Sequence, residues 1–507
     1  MNSLNQLRNI ISSFQGEEIK SLEKHINYLK SGQDLQISKS AQLLKFLLES
    51  QVHSPTDIQK AIYGKQNYSA FNKLVNRLRE KALEVMLFSS NIKSGSYAER
   101  SRTIFELRKR MIQIDMLILK GLRRNILEEI NLVIKKAKEY EIYDVLVQAL
   151  HTKQRFQGVD LGQSQADNLK IEIQKAEFQW TSLNYSQSKF NELISMINSS
   201  SNPDSYKTEL AFGLGLLKTE YERTDSATIG YYYKLLLVEK FQNEKNYKKA
   251  GESLIELITL IDNNSSVYSK FRIGSMTLNI ANNFIFLKEL DASLEKLIIA
   301  KEYFANQPVN LAILNEIEFY NLFYRGDLDQ SSLCLDDLIK YTRTVNTPLL
   351  LDKRIFFKGC LRFIQGDYQQ ALDLIIDCNE LDKDKEGWNI TKRIMITLCR
   401  IEIQDYESVD LKINSLDKFI KRLLKTKNVR PRYLIIIRIL RKLINENFDY
   451  RKVYTSRLKY FNQLSSDDSD YRWEIKSPEL VIFDEWFRSK MKKKTYDHKI
   501  IMNNIFK

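Results

Sequence analysis

Apolar residues return every three to four positions along most of this 507-residue chain, in stretches separated by short polar breaks. That is the period of an amphipathic helix. Near the start, residues 17–30 (EEIKSLEKHINYLK) and 38–49 (SKSAQLLKFLLE) carry the pattern. Ser54, Pro55 and Asp57 open another helix: Ser54 caps it, Pro55 suits its first position, and Asp57 completes a capping box. Residues 125–140 and 142–157 read as a helical hairpin, and 165–198 as one long amphipathic run or two helices. After the polar linker NSSSNPDS (198–205), residues 205–223 and 227–243 continue the pattern. All six prolines (Pro55, Pro203, Pro308, Pro348, Pro431, Pro478) fall at the breaks, and glycines number only sixteen. Long helices tolerate neither residue inside, so the pattern predicts an all-α protein.

One window is sharper than the rest. Residues 354–381 read RIFFKGCLRFIQGDYQQALDLIIDCNEL, with Gly359 seven before Gly366 and Ala371 seven before Cys378. Small residues at those points let two helices cross closely, while Asp367 caps the second helix and Tyr368 packs into the turn. The window resembles a tetratricopeptide repeat, whose signature includes the first-helix glycine, the Gly-Asp-Tyr turn and the second-helix alanine. Fainter echoes begin at Asn246, Lys288, Gly326 and Gln404. Measured at the small-residue slot (Ala250, Ser293, Ser331, Ala371, Val409), the steps are 43, 38, 40 and 38 residues. The usual tetratricopeptide step is about 34, so these units are longer. The resemblance implies a right-handed α-solenoid of helical hairpins, degenerate over 111–230 and clearer over 231–425. Whole-chain organisation is also similar to tetratricopeptide proteins of Bacteroidetes-like bacteria, a likeness that names no activity.

In such a solenoid the working surface is the concave groove lined by first helices. Register places Glu239, Asn282, Glu316, Tyr320, Phe323 and Tyr324 there. Members that grip a C-terminal carboxylate pair a lysine with the asparagine, but here Asn282 is matched by Leu278, so that clamp is not supported. The mixture suits an apolar or helical peptide. Phe356, Phe363 and Leu398 read instead as packing between repeats.

Residues 1–110 form a helical unit without the repeat signature. After the turn YGKQNY (63–68), Ser69 is expected to cap a helix with Phe71, Leu74, Val75, Leu78, Ala82 and Val85 on one face. The other face carries Asn72, Lys73, Asn76, Arg77, Arg79 and Lys81. Residues 54–90 thus have a helix-turn-helix silhouette. LVNRLREKAL (74–83) is similar to the recognition-helix region of OmpR-type winged-helix regulators. That resemblance implies Lys73, Asn76 and Arg77 facing the major groove, with Arg79 and Lys81 nearer phosphates. For the β-hairpin wing that should follow, the next residues supply only Gly95 and Tyr97. The other reading is a packing unit that caps the solenoid.

Residues 426–507 read as a basic helical cap and tail. Two helices split at Pro431, a last helix over 479–491 docks through Trp486 and Phe487, and the final residues are expected to be loosely held. Net charge is +14, concentrated in 51–110 (twelve Lys/Arg, five Asp/Glu) and 411–460 (fifteen against three). Two basic patches suit nucleic acid, an acidic partner or solvated helix faces.

The start MNSLNQLRNIISSF has no sustained apolar run, so no secretory signal is expected. YLIII (433–437) runs straight into Arg438, which argues against a membrane span. The four cysteines (Cys334, Cys360, Cys378, Cys399) form no CxxC pair, and the four histidines have no ligand spacing. GLGLLKT (213–219) lacks the glycine before Lys218 and a preceding strand, so it reads as helix rather than phosphate loop. The sequence therefore predicts a cytoplasmic, non-enzymatic repeat scaffold without metal or cofactor, binding a protein or peptide. The alternative is a transcriptional regulator with an N-terminal helix-turn-helix and a repeat effector domain.

Overall fold

The computed structural model describes residues 3–14, 16–27, 38–49, 53–88, 99–157, 163–199, 206–304, 307–344, 348–380, 384, 387–424 and 429–506. Among the described residues every regular element is a helix. The chain divides into two units, Met1–Glu106 and Leu107–Lys507.

In the first unit, α1 (Ser3–Ser12), α2 (Gly16–Asn27) and α3 (Lys39–Leu48) pack on the long α5 (Tyr68–Phe88), and α4 (Pro55–Tyr63) packs on α3. Their core is the apolar stripe read from the sequence: Leu74, Val75, Leu78 and Ala82 of α5 bury against Leu4, Leu7, Leu22 and Leu43. Ser54 Oγ accepts from the Asp57 amide, so α4 starts as its capping residues dictate. Helix α5 begins two residues earlier than expected. Asn67 Oδ1 accepts from the Ala70 amide at 3.1 Å, making Asn67 the cap in place of Ser69. Helix α6 (Glu99–Leu119) follows; residues 89–98, where a wing would fall, lie outside the described residues.

From α7 (Arg123–Glu139) onward, neighbouring helices pack in series. The next are α8 (Tyr143–Gln157), the single 37-residue α9 (Gln163–Ser199) and α10 (Lys207–Thr224), which contains the glycines of GLGLLKT. Then come hairpin pairs: α11 (Ala227–Asn243) with α12 (Tyr247–Asn263), α13 (Lys270–Phe286) with α14 (Leu290–Glu302), and α15 (Pro308–Tyr324) with α16 (Leu328–Thr344). The series continues with α17 (Pro348–Ile364) and α18 (Tyr368–Asp377), then α19 (Trp388–Glu402) and α20 (Tyr406–Leu423). It closes with α21 (Pro431–Asn445), α22 (Tyr450–Ser456), α23 (Leu458–Leu464), α24 (Phe483–Met491) and α25 (His498–Phe506).

The five echoes share one turn. Lys245, Lys288, Gly326, Gly366 and Gln404 all take positive φ, between 56° and 86°. The amide of the next residue closes each turn on a carbonyl five residues back, at 2.8–3.0 Å. This is the closure that satisfies the last carbonyls of a helix. Only two of the five use glycine; a side chain in that conformation costs roughly 1–2 kcal/mol, so packing must hold the other three. Only the copy at Gly366 joins that glycine to an aspartate cap and a following tyrosine, which is why it reads clearly and the other four faintly. All five slot residues (Ala250, Ser293, Ser331, Ala371, Val409) are 0% exposed. A Cβ on Gly359 would lie 2.5 Å from Ile375 Cγ1, so the glycine sets the closeness of α17 and α18.

The same closure occurs at four turns that the sequence did not reveal, one of them Lys493 with the Lys494 amide. The others are Gly121 with the Leu122 amide, Glu141 with the Ile142 amide, and Asn447 with the Phe448 amide. Cys378, the small residue seven after Ala371, is the extended residue that ends α18.

The C-terminal expectations need two corrections. The last residues are not loosely held: they form α25, with His498 and Met502 buried. Helix α24 begins at Phe483 rather than at 479, because Glu479 is committed elsewhere. Its carboxylate pairs with Arg432 at 2.7 and 2.8 Å and accepts from the Phe483 amide at 3.0 Å. Trp486 and Phe487 are fully buried, as their pattern predicts.

Candidate functional site

The first helices α11, α13 and α15 present the residues nominated for a groove, and the structure treats them differently. Glu239 on α11 is half-buried, and burial raises its carboxyl above the usual range. Tyr231 and Leu235 on the same helix are also half-buried, with the Arg272 guanidinium 4.4 Å from the Tyr231 ring centre. Further along, the surface is covered by the chain itself. Residues 465–482 form an irregular segment between α23 and α24 that reaches α13 and α15. The Lys476 ammonium donates to Asn282 Oδ1 at 2.7 Å and sits 4.7 Å from the Tyr320 ring centre. Its backbone amide donates to the Tyr324 hydroxyl at 2.6 Å. Trp473 stands edge-on to Tyr324, whose ring also stacks on Phe506. Tyr320, Phe323 and Tyr324 are consequently buried, and burial pushes the Tyr324 hydroxyl well above its ordinary value.

Polar anchors hold this segment in place. Arg432, 1% exposed, donates to Glu479, to Asp484 at 2.8 Å and to the Tyr471 carbonyl at 2.9 Å. Glu474 pairs with Lys245 at 2.5 Å and Arg430 at 3.3 Å. Trp486 Nε1 and the Lys490 ammonium both reach Glu402, each at 2.7 Å. In α25, His498 Nε2 donates to the Phe323 carbonyl at 2.8 Å, and Lys288 donates to the Ile505 carbonyl. Much of the basic patch over 411–460 is spent in such pairs: Arg430 and Arg432 as above, Lys442 and Lys452 on Glu446, Lys421 and Arg441 on Asp417.

Glu316, the remaining nominee, lies at a cavity of about 300 Å³ between α15, α16, α17, the start of α19 and Lys476. It accepts from Arg354 at 3.2 Å. Phe319, Tyr320, Phe357 and Trp388 supply aromatic walls, and Lys353 and Arg354 bring cations. Phe356, Phe363 and Leu398 are buried in the core between repeats, as expected. Burial pushes the thiols of Cys334, Cys378 and Cys399 up to about 12, which keeps them protonated.

In the first unit, Asn72, Lys73, Asn76 and Arg77 are all exposed along α5, while Arg79 and Lys81 are half-exposed. Arg79 reaches Gln6 of α1 at 3.4 Å, so it also helps to fix α5. His25 ties α2 to α5 through Glu84 at 2.9 Å.

Sequence reasoning missed Lys476, Trp473, His498 and Phe506 as occupants of the first-helix surface, and Lys353, Arg354 and Trp388 as cavity walls. In YRWEIKSPEL (471–480), Tyr471, Trp473 and Ile475 alternate with Arg472, Glu474 and Lys476, an extended-chain period rather than a helical one, but so short an alternation does not say which surface it packs on. No protein-family model matches the chain, and no curated protein matches it.

Proposed function

We propose that residues 107–507 form a right-handed tetratricopeptide-like solenoid acting in the cytoplasm as a non-enzymatic scaffold. It binds a protein or peptide partner along its first-helix groove. One observation carries this reading: the chain's own irregular segment lies on that surface. It is held by a lysine on Asn282, a backbone amide on Tyr324 and an indole against the same tyrosine. A surface that grips non-helical chain through main-chain and side-chain contacts has the chemistry of peptide recognition. The partner's share is the half-buried stretch at Tyr231, Leu235 and Glu239.

A photo-crosslinking amino acid placed at Glu239, with a control at the exposed Ile255 of α12, tests this in cells. Adducts of one defined mass at position 239 and none at 255 are expected. Equal labelling at both positions would defeat the reading.

A second reading is supported by the exposure of Asn72, Lys73, Asn76 and Arg77 on a helix that follows a capped helix and a glycine turn. In it the first unit contacts DNA, making the chain a transcriptional regulator with a repeat effector domain. A pulldown with and without nuclease, repeated with a Lys73→Ala/Arg77→Ala double variant, separates the two. Equal nucleic-acid retention by the variant removes the DNA reading.

A further inference from the structure

The cavity beside Lys476 has a composition that packing alone does not call for. Its walls hold three cations, Lys353, Arg354 and Lys476, and the carboxylate of Glu316, which accepts from Arg354. Arg354 is 6% exposed, and its Nε is buried without a hydrogen-bond partner, while its other nitrogens reach the Leu338 carbonyl, Thr342 and Glu316. A charged group buried with a donor unsatisfied is costly, and a bound anion lowers that cost. The Lys353 ammonium lies 4.6 Å from the Trp388 ring centre and the Lys476 ammonium 4.7 Å from that of Tyr320. Both are therefore held over ring faces at the cavity. The rings are contiguous, with Phe357 5.1 Å from Trp388 and 5.8 Å from Tyr320, centre to centre. At about 300 Å³ the space is at the small end of ligand pockets.

We infer that this cavity is a binding site for a small anionic ligand with a flat, unsaturated body. The ring system enters between Tyr320, Phe357 and Trp388, and its carboxylate or phosphate meets Lys353, Arg354 and Lys476. The inference stands apart from partner binding at α11, since it uses other helices. Because Lys476 belongs to the C-terminal segment, an occupant bridges that segment to the repeats.

The test is calorimetric titration of the full chain with indole-3-acetate, 3-phenylpropionate and phenyl phosphate, each against a neutral counterpart: indole-3-acetamide, 3-phenylpropionamide and phenol. Saturable binding of at least one anion, with its neutral counterpart at least tenfold weaker, is expected; the carboxylate and phosphate arms tell which anion is preferred. Lys353→Met and Lys476→Met are each expected to weaken that binding at least tenfold. Lys353→Met lies outside the C-terminal segment, so its effect does not depend on how that segment docks. Equal affinity for anion and neutral counterpart, unchanged binding in both variants, or no binding of any probe at millimolar concentration would overturn the inference.

Discussion

His498 gives the docking of α25 a defined pH dependence. The imidazole is 2% exposed, donates from Nε2 to the Phe323 carbonyl at 2.8 Å and lies against the Phe323 ring. Its Nδ1 is buried with no partner, so a second proton would create an N–H⁺ with nothing to accept from it. Burial holds the pKa down at about 4 against an ordinary 6.5, with the Phe323 carbonyl and Asp497 pulling weakly the other way. A depressed imidazole pKa means that the docked state favours the neutral form. Its stability is fully present above pH 6.5 and is lost as pH falls from there towards 4. At 1.36 kcal/mol per unit the complete loss is about 3 kcal/mol, and about 2 kcal/mol of it has gone by pH 5. The population with α25 detached should therefore rise roughly 20-fold between pH 7 and pH 5. Amide hydrogen exchange of residues 498–506, corrected for intrinsic rates, measures that population directly. His498→Gln keeps a donor for the Phe323 carbonyl but does not titrate, so its exchange should lack this rise. If α25 loses protection equally in both proteins, His498 is not the cause.

Gly359→Ala drives a methyl into Ile375 and should lower stability by about 1–3 kcal/mol. At Gly366, where nothing lies within 4 Å of the added carbon but φ is +86°, alanine costs roughly 1–2 kcal/mol for conformation alone. Thermal unfolding of the two variants checks that the methyl at 359 lowers the midpoint further; the reverse order would show that α17 and α18 relax apart. Arg432→Ala strands Glu479 and Asp484, whose side chains are each 7% exposed, and should cost about 3–5 kcal/mol. Urea unfolding should show part of that loss recovered when Glu479→Gln and Asp484→Asn are added. No recovery would mean that shape, not charge, dominates there.

The helices, the five turns and the five slot residues were legible because their causes are local. A small residue four positions after each turn cap, an aspartate or asparagine at four of the five caps, and a three-to-four-residue apolar period all act within about two helical turns. Even so, Glu141, Asn447 and Lys493 escaped notice, since none is glycine and packing supplies the left-handed conformation that the side chain disfavours. On α5 the same period sorted buried Leu74 and Leu78 from exposed Lys73 and Arg77 correctly. The first-helix surface was legible only as a set of positions. Register put Asn282, Tyr320 and Tyr324 on it, but what covers them arrives from residues 194, 156 and 152 positions later. Sequence by itself determined an all-helical chain of repeated hairpins, because secondary structure and turn chemistry depend on near neighbours. Tertiary structure alone decided that a short non-helical segment covers the first-helix surface at Asn282, Tyr320 and Tyr324 and walls a cationic, aromatic cavity, because those contacts join residues far apart in sequence.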